Sequence, residues 1–322
     1  MKNKSDMNFW FIGTGHFAAA LLPMLAVDFN FGRIITRTPS KANRGLKEEI
    51  TPVERAAIET GLIPSRTPLL VSDTSLRDDF FKNTPDGVFV IDFGEKISDP
   101  FLTGTKFGCL NIHPSLLPKY RGAAPIQRAL ENGENYIGVT LFLLTEEMDA
   151  GPIILQTKED ISIETDYTGI MNRTAVLGSE LANEWLRKII NTPDQVLTCP
   201  QDHDAATYAP KILKSESHQS FNITAKLLHN RVRAFCPNPG VWVLFREKRL
   251  KLILTYPLEE ADSSSEAGEI IGFQNGSPVV KCKVGSIVLK QVQPEGKRIM
   301  NGADWINGLH LPPESGEWRI EN

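Results

Sequence analysis

Length and composition restrict this chain to a few classes of protein. With 322 residues it is long for a single hydrophobic core and suited to two domains. Hydrophobic residues make up 41% and charged residues 23%, and no apolar run approaches the roughly 18 residues that span a bilayer, which argues against a disordered or membrane-spanning protein. The net charge of −4 is unevenly divided: residues 1–204 hold 20 Lys and Arg against 27 Asp and Glu, and residues 205–322 hold 15 against 12. The basic second part is either a solvated face or a surface for a polyanionic partner.

The N-terminus and the cysteines predict a cytoplasmic location. The polar residues 1–8 run directly into a strand-like apolar stretch, which leaves no room for a signal or transit peptide. Four cysteines, at positions 109, 199, 236 and 282, are scattered without a Cys-x-x-Cys spacing. That pattern predicts neither a disulfide framework nor a metal site, so we expect a reducing cytoplasm.

Short apolar runs alternate with helical patterns through the first half of the chain. The runs rich in Val, Ile and Phe are predicted strands, at 9–12, 33–35, 69–71, 88–91 and 109–112. The stretches between them are predicted crossover helices, at 16–27, 52–61 and 73–82. Strands that are hydrophobic at nearly every position are usually covered on both faces. The alternation therefore predicts an α/β fold with an open, twisted, mostly parallel sheet of the Rossmann-like kind.

The second half begins with the end of this sheet and then changes character. A helix near 125–131, strands at 138–144 and 153–156, and a long amphipathic helix at 167–190 complete the first part. After a polar, proline-containing stretch come a helix at 224–235 and short strands at 242–245, 249–255, 268–272, 278–283 and 286–291. Many short strands separated by turn residues predict a small β-barrel, OB-like in kind. We predict a catalytic domain at 1–190, a linker at 191–210 and a C-terminal β-barrel domain at 211–322.

A glycine-rich turn follows the first predicted strand. Gly13-Thr-Gly15-His-Phe-Ala18 fits a Gly-x-Gly-x-x-Ala dinucleotide pattern, in which backbone N–H groups at a helix N-terminus bind an anion. The second strand ends in Thr36-Arg37 without the acidic residue that would hold an NAD ribose. Arg37 and Lys41 could instead suit the 2′-phosphate of NADP. The motif is as compatible with a structural turn as with a nucleotide site.

Three polar side chains form the strongest functional pattern in the chain. Asn111 and His113 lie two residues apart at the end of a predicted strand, so their side chains point the same way. Asp149 lies in a turn that follows a later strand, where side chains are presented rather than packed. An amide can donate to an oxyanion, an imidazole can accept or donate a proton near neutral pH, and a carboxylate can orient the imidazole. These groups suit the transfer of an acyl group to an amine, and we predict that all three are catalytic.

The segment around His113 also carries a resemblance to a known family. Asn111-Ile-His113-Pro-Ser-Leu-Leu-Pro-Lys-Tyr-Arg121-Gly resembles the signature of the folate-dependent formyltransferases. Four more segments, at 36–45, 121–128, 232–242 and 293–304, resemble the branch of that family that acts on methionyl initiator tRNA. The similarity runs from about residue 9 to residue 318. The chain departs from the family at Cys236 and Asn238, where Asn and Trp are usual, and at Asp92-Phe-Gly94, where Ala-Tyr-Gly is more usual.

The resemblance implies a reaction and two binding regions. The formyl group of 10-formyltetrahydrofolate, the co-substrate, would pass to the α-amine of methionyl initiator tRNA, giving formylmethionyl-tRNA for translation initiation. The implied folate site comprises Asp92, Phe93, Gly94, Ser115, Leu116, Leu117, Pro118, Thr145 and Glu147. The implied tRNA contacts are Lys41 and Arg44 first, then Lys211, Lys214, Arg231 and Arg233. We expect a cytoplasmic monomer without a metal and without a membrane partner.

Three alternatives remain open from the sequence. A sibling formyltransferase would act on the amine of a nucleotide-linked sugar. An NAD(P)-dependent dehydrogenase would use the turn at 13–18. A non-catalytic RNA-binding module would need only the β-barrel and the basic stretch.

Overall fold

The structure is a computed structural model, which describes residues 6–39, 49–192, 197–259, 264–309 and 320. The chain divides into two compact units. Unit 1 comprises Met1–Pro125, Tyr136–Asp160 and Ile170–Ala209, and unit 2 comprises Ile126–Asn135, Ile161–Gly169 and Pro210–Asn322. The predicted domain boundaries remain a prediction, since compactness alone does not define them.

Unit 1 is built on a seven-stranded mixed sheet. In chain order its strands and helices are β1 (Phe9–Gly13), α1 (His16–Leu25), β2 (Phe31–Arg37), α2 (Pro52–Glu59), β3 (Pro64–Thr67), α3 (Thr74–Lys82), β4 (Gly87–Ile91), β5 (Cys109–His113), α4 (Pro125–Glu131), β6 (Tyr136–Leu143), β7 (Ile153–Asp160) and α5 (Tyr167–Asn191), of which α4 lies mostly in unit 2. The strand order is β3-β2-β1-β4-β5-β6-β7. Pairing is parallel from β3 to β5 and antiparallel from β5 to β7. The predicted α/β class with a mostly parallel sheet is confirmed.

The central strands are buried along their whole length. Every residue of β1 and of β4 is buried, as expected for parallel strands covered on both faces. The pairing of β4 with β5 joins only Val88 to Cys109 and Phe89 to Leu110. The carboxyl-terminal residues of β5, Asn111 to His113, are therefore paired on one side only, with β6. In open α/β sheets, ligands bind outside the carboxyl ends of the strands.

One predicted strand is wrong. Residues 69–71 were expected to form the third strand, but Leu70–Ser72 is a short 3₁₀ turn, and the third strand is Pro64–Thr67. The reason is that β3 is an edge strand paired only with β2, so it needs no hydrophobic run.

Unit 2 contains a six-stranded antiparallel sheet. Its described elements are α6 (Ala225–Phe235), β8 (Val241–Phe245), β9 (Lys248–Leu258), β10 (Ile270–Gln274), β11 (Ser277–Lys281), β12 (Ser286–Pro294), β13 (Met300–Asn301) and α7 (Gly302–Asn307). The strand order is β10-β11-β12-β9-β8, and β13 pairs with β12. The C-terminal part was predicted to be a small β-barrel, OB-like in kind, that follows one helix, and a separate antiparallel sheet of short strands in this part confirms that prediction. The prediction did not include β13 and α7.

The four cysteines are free thiols. Among the described residues, no helix has the length and hydropathy of a membrane span.

Candidate active site

Strand β5 holds Asn111 and His113 on one face of the sheet of unit 1. Ile112, between them, is buried on the opposite face, and β6 lies alongside with Phe142 opposite Asn111 and Thr140 opposite His113. The His113 side chain is almost fully buried, whereas Asn111 is partly exposed. Within the part of the chain that the structure describes, the Asn111 amide has no hydrogen-bond partner. The amide is therefore available to a substrate on the same face as the imidazole.

His113 is oriented by two neighbours. Its Nε2 lies 2.9 Å from the carbonyl oxygen of Tyr120, and its Nδ1 lies 3.8 Å from Oδ2 of Asp149. A carbonyl oxygen only accepts, so Nε2 carries a hydrogen and donates it. In the neutral imidazole, Nδ1 is then the nitrogen with the free lone pair, and it faces the carboxylate. A proton taken up at Nδ1 would sit beside a negative charge.

Asp149 reaches this position through an unusual backbone conformation. Its φ is +52°, in the left-handed region that non-glycine residues seldom adopt. Its Oδ2 accepts a hydrogen bond from the backbone N–H of Gly122, at 2.8 Å. The structure thus brings together the three residues predicted to be catalytic, with Asp149 contributed by the loop between β6 and β7. Their catalytic roles remain a prediction.

The loop after β5 is fixed by polar residues of two neighbouring strands. The hydroxyl of the buried Thr140 donates to the carbonyl of Ser115 (2.7 Å) and accepts from the N–H of Leu117 (3.1 Å). The Gln156 amide donates to the Leu117 carbonyl and to the Thr140 hydroxyl, both at 2.8 Å. The sequence did not point to Thr140 or Gln156. Thr140 was a signal, as a polar residue in the otherwise apolar strand β6, whereas Gln156 lies in a strand that continues with polar residues and carried no such signal.

Gly138 makes the close approach of this loop possible. A Cβ there would overlap the Leu116 side chain and lie 2.8 Å from the Leu116 backbone nitrogen. Ser115 and Leu117 are buried, while Leu116 and Pro118 are partly exposed. Of the predicted folate residues in this loop, Leu116 and Pro118 thus present surface to a ligand. Ser115 and Leu117 are buried, and their backbone N–H and carbonyl groups already make hydrogen bonds within the protein.

Asp92, at the end of β4, occupies the turn that resembles a dinucleotide site. Its carbonyl oxygen accepts from the N–H groups of Thr14 (3.2 Å) and Gly15 (3.0 Å). Its carboxylate accepts from the Phe17 N–H in the first turn of α1, and a Cβ at Gly15 would overlap that carboxylate. A dinucleotide phosphate at the same helix end would meet an acidic group, so the geometry argues against the dehydrogenase alternative.

The surroundings of Asp92 also affect its ionisation. Asp92 is an exposed residue, yet the protein around its carboxyl group desolvates the charged form and so raises the pKa of Asp92 above its usual value. The Phe17 hydrogen bond and the nearby His16 act in the opposite direction and only partly offset this desolvation.

The other predicted folate residues differ in exposure. Phe93 is buried in a hydrophobic cluster of unit 1, so only its backbone can face a ligand. Gly94, Thr145 and Glu147 are exposed. The Thr145 hydroxyl donates to the Glu147 carbonyl at 3.3 Å, and the Glu147 carboxylate lies 3.8 Å from a guanidinium nitrogen of Arg121.

The predicted tRNA contacts in unit 2 are of two kinds. Lys211 and Lys214 are exposed and make no ion pair with the described residues. Arg231 is bound to Glu131 (3.0 Å) and Gln219 (2.6 Å). Lys41 and Arg44 lie outside the described residues.

Arg233 is engaged within unit 2. It is buried, and its guanidinium donates to Asn230 (3.1 Å) and towards the carbonyls of Ser162 and Thr165 (3.4 Å each). Burial lowers the pKa of Arg233 from its usual value.

An aromatic stack on unit 2 was not predicted. The rings of His218 and Trp242 are stacked with centroids 4.1 Å apart, and the Arg249 guanidinium lies 4.5 Å from the Trp242 ring centroid. Lys251 is opposite Trp242 on the neighbouring strand. Cationic groups combined with stacked rings are typical of nucleic-acid surfaces.

Comparison with known proteins identifies the family of this chain. The Formyl transferase family model matches residues 7–186, and the model of its C-terminal domain matches residues 211–310. A methionyl-tRNA formyltransferase from Kosmotoga olearia is 36% identical over 295 residues, covering 91% of this chain and 94% of the relative. One from Pseudothermotoga lettingae is 35% identical over 307 residues, covering 95% and 97%.

Solved structures share the fold at low sequence identity. An N-formyltransferase from Helicobacter canadensis, in complex with folinic acid and dTDP-3-aminofucose, has a TM-score of 0.62 at 19% identity, covering 89% of this chain and 99% of that one. HypX from Aquifex aeolicus, in complex with tetrahydrofolic acid, has a TM-score of 0.56 at 16% identity, covering 93% of this chain and 47% of that one. Since the family model spans more than half of the chain and the relatives match almost all of it, this chain belongs to the formyl transferase family, alongside the methionyl-tRNA formyltransferases.

Proposed function

We propose that this enzyme transfers the formyl group of 10-formyltetrahydrofolate to the α-amine of methionyl initiator tRNA, in the cytoplasm, for translation initiation. The observation that carries the proposal is the arrangement at the end of β5: an available amide, a buried imidazole and a carboxylate 3.8 Å from it. The relatives named methionyl-tRNA formyltransferase support the choice of acceptor.

The proposed chemistry is a direct acyl transfer. The amine attacks the formyl carbon and forms a tetrahedral oxyanion, to which the Asn111 amide donates a hydrogen bond. The amine loses a proton, and the N10 of the folate gains one as the C–N bond breaks. His113 takes the proton at Nδ1, because its Nε2 hydrogen is already bound to the Tyr120 carbonyl. Asp149 stabilises the resulting imidazolium.

The folate is proposed to lie against the loops that follow β4, β5 and β6. Leu116, Pro118 and Gly94 offer surface, while Thr140 and Gln156 hold the loop that follows β5 in place. The proposed reaction involves no metal ion.

For the tRNA we propose contacts from Lys41 and Arg44 and, in unit 2, from Lys211 and Lys214, with Trp242 and Arg249 as additional candidates. We expect Arg231 to contribute less to tRNA binding, because its guanidinium already bonds to Glu131 and Gln219. We do not propose Arg233 as a tRNA contact, because it is buried. Phosphate contacts of this kind weaken as salt increases.

A comparison of acceptors tests the function. Purified protein with 10-formyltetrahydrofolate is expected to formylate methionyl initiator tRNA and not amino-sugar nucleotides. His113→Ala should abolish measurable formylation while tRNA affinity stays near the wild-type value. Formylation of the sugar amine alone would establish the sibling function instead, and turnover by His113→Ala would remove the proposed role of His113.

Salt dependence tests the tRNA surface. Lys211→Ala and Lys214→Ala should each weaken tRNA binding and reduce the slope of log K against log salt by up to about 1. Lys188→Ala is the matched control, because Lys188 is an exposed lysine of α5 paired with Glu184 at 2.7 Å. An unchanged slope in both unit 2 variants would exclude these two contacts.

A further inference from the structure

Gln201 lies in a segment that the sequence assigned to a linker, yet its side chain is buried inside unit 1. Its Nε2 donates to the carbonyl oxygens of Asp149 (2.9 Å) and Gly151 (2.7 Å). Its Oε1 accepts from Nε (3.1 Å) and Nη2 (2.7 Å) of Arg121. The Gln201 amide therefore uses both of its donor hydrogens and its oxygen. Its four hydrogen bonds join the loop after β5, through Arg121, to the loop between β6 and β7, through Asp149 and Gly151.

The segment around Gln201 is tied to the same loops by its backbone. Cys199 and Ile153 exchange two backbone hydrogen bonds of 2.8 Å. The Arg121 N–H donates to the Thr207 carbonyl at 2.8 Å, and the Ala209 N–H donates to the Arg121 carbonyl at 2.7 Å. The Arg121 side chain is only 1% exposed. The backbone of the segment that carries Gln201 is therefore held in place, and the buried Arg121 side chain lies beside the Gln201 oxygen.

Asp149 needs such support. A non-glycine residue with φ of +52° is in a conformation that costs free energy and persists only where surrounding contacts hold it. Gln201 binds the carbonyl of this residue and the carbonyl two residues later, on both sides of Ala150. The backbone N–H of Gly122 in turn donates a hydrogen bond to the Asp149 carboxylate.

We propose that Gln201 is a positioning residue for formyl transfer: braced by Arg121, it fixes the backbone of residues 149–151 and so sets the distance between Asp149 and His113. The inference rests on the proposed function, in which Asp149 stabilises the imidazolium. An amide is the side chain that fits, because it donates to two carbonyls and accepts from a guanidinium at once. A carboxylate would still pair with Arg121 but would repel both carbonyl oxygens.

Two substitutions and one control test this inference. Gln201→Ala is expected to lower kcat by about 10- to 100-fold, with the KM values for folate and tRNA changed less than about threefold, and to alter the pH dependence of kcat. Gln201→Glu should be similarly impaired at neutral pH and should recover activity, relative to wild type, as pH falls, because protonation of the introduced carboxylate restores one donor. Thr174→Val, at a buried threonine of α5 whose hydroxyl donates to the Ile170 carbonyl, controls for loss of stability in unit 1.

A second readout does not depend on turnover. The ¹⁵N chemical shifts of the His113 imidazole, assigned with His113→Gln, should differ between wild type and Gln201→Ala and should be unchanged in Thr174→Val. Wild-type kcat and unchanged His113 shifts in a folded Gln201→Ala would overturn the inference, as would an equal loss of kcat in Thr174→Val. If the wild-type protein formylated no tRNA while the His113 shifts still responded to Gln201→Ala, the proposed function would fail and the positioning role would stand.

Discussion

Replacement of Asp149 by Asn removes one negative charge from beside His113 and keeps an oxygen that can accept the Gly122 N–H. The two side chains are only 7% and 12% exposed, and the Nδ1–Oδ2 distance is 3.8 Å. Unit charges about 4 Å apart attract by about 4 kcal/mol at an effective dielectric constant of about 20. In the proposed mechanism this attraction acts when the imidazolium forms. A tenfold change in rate corresponds to about 1.4 kcal/mol, and the Asn dipole retains part of the interaction, so we expect kcat to fall about 10²- to 10³-fold.

Single-turnover formylation of methionyl initiator tRNA, with saturating folate, measures this loss separately from binding. Glu146→Gln is the control, because Glu146 is a carboxylate of the same loop that is 84% exposed and lies 4.0 Å from Lys96. It should keep nearly full activity. If Asp149→Asn retains more than about a tenth of the wild-type rate, or if Glu146→Gln loses as much, the electrostatic reasoning is refuted.

Three further predictions concern other parts of the molecule. Asn111→Ala should lower kcat about 10²- to 10³-fold through loss of the oxyanion donor, in a steady-state assay where an effect on KM alone would contradict the assignment. Gly138→Ala should reduce the free energy of unfolding by about 1–3 kcal/mol in urea titrations, because a Cβ would overlap Leu116; an unchanged midpoint would show that the loop can move aside. Burial lowers the pKa of His229 below its usual 6.5, so the native state binds fewer protons there than the unfolded state. The stability of unit 2 that depends on neutral His229 should be complete above pH 6.5 and decline as pH falls through the folded-state pKa. His229→Gln should lose this part of the pH dependence of the free energy of unfolding. Identical pH profiles of stability in wild type and His229→Gln would disprove the prediction.

Local signals in the sequence were sufficient for most helices and strands. The predicted helices near 52, 73 and 224 begin where Thr51, Asp73 and Thr224 cap them, each side chain accepting an N–H three residues later. The buried strands β1 and β4 were visible as unbroken apolar runs. The edge strand β3 was not, because a strand paired on one side needs no such run.

The glycine-rich turn shows how a local signal can have two physical meanings. Gly13 to Ala18 has the spacing of a phosphate-binding turn, and the sequence alone left that hypothesis open. In the fold, the space that Gly15 provides is taken by Asp92, a residue brought there by the parallel pairing of β1 with β4. Strand pairing over a long sequence separation decided which meaning applies.

The sequence by itself determined the fold class and the strand that carries Asn111 and His113, because hydrophobic periodicity and the two-residue repeat of a strand are local properties. Only the tertiary structure decided that Asp149 faces Nδ1 of His113, that Nε2 is held by Tyr120, and that Gln201 supports the loop between them. The reason is physical. Buried polar groups must find partners, and those partners are supplied by residues far apart in sequence whose distances no local pattern encodes.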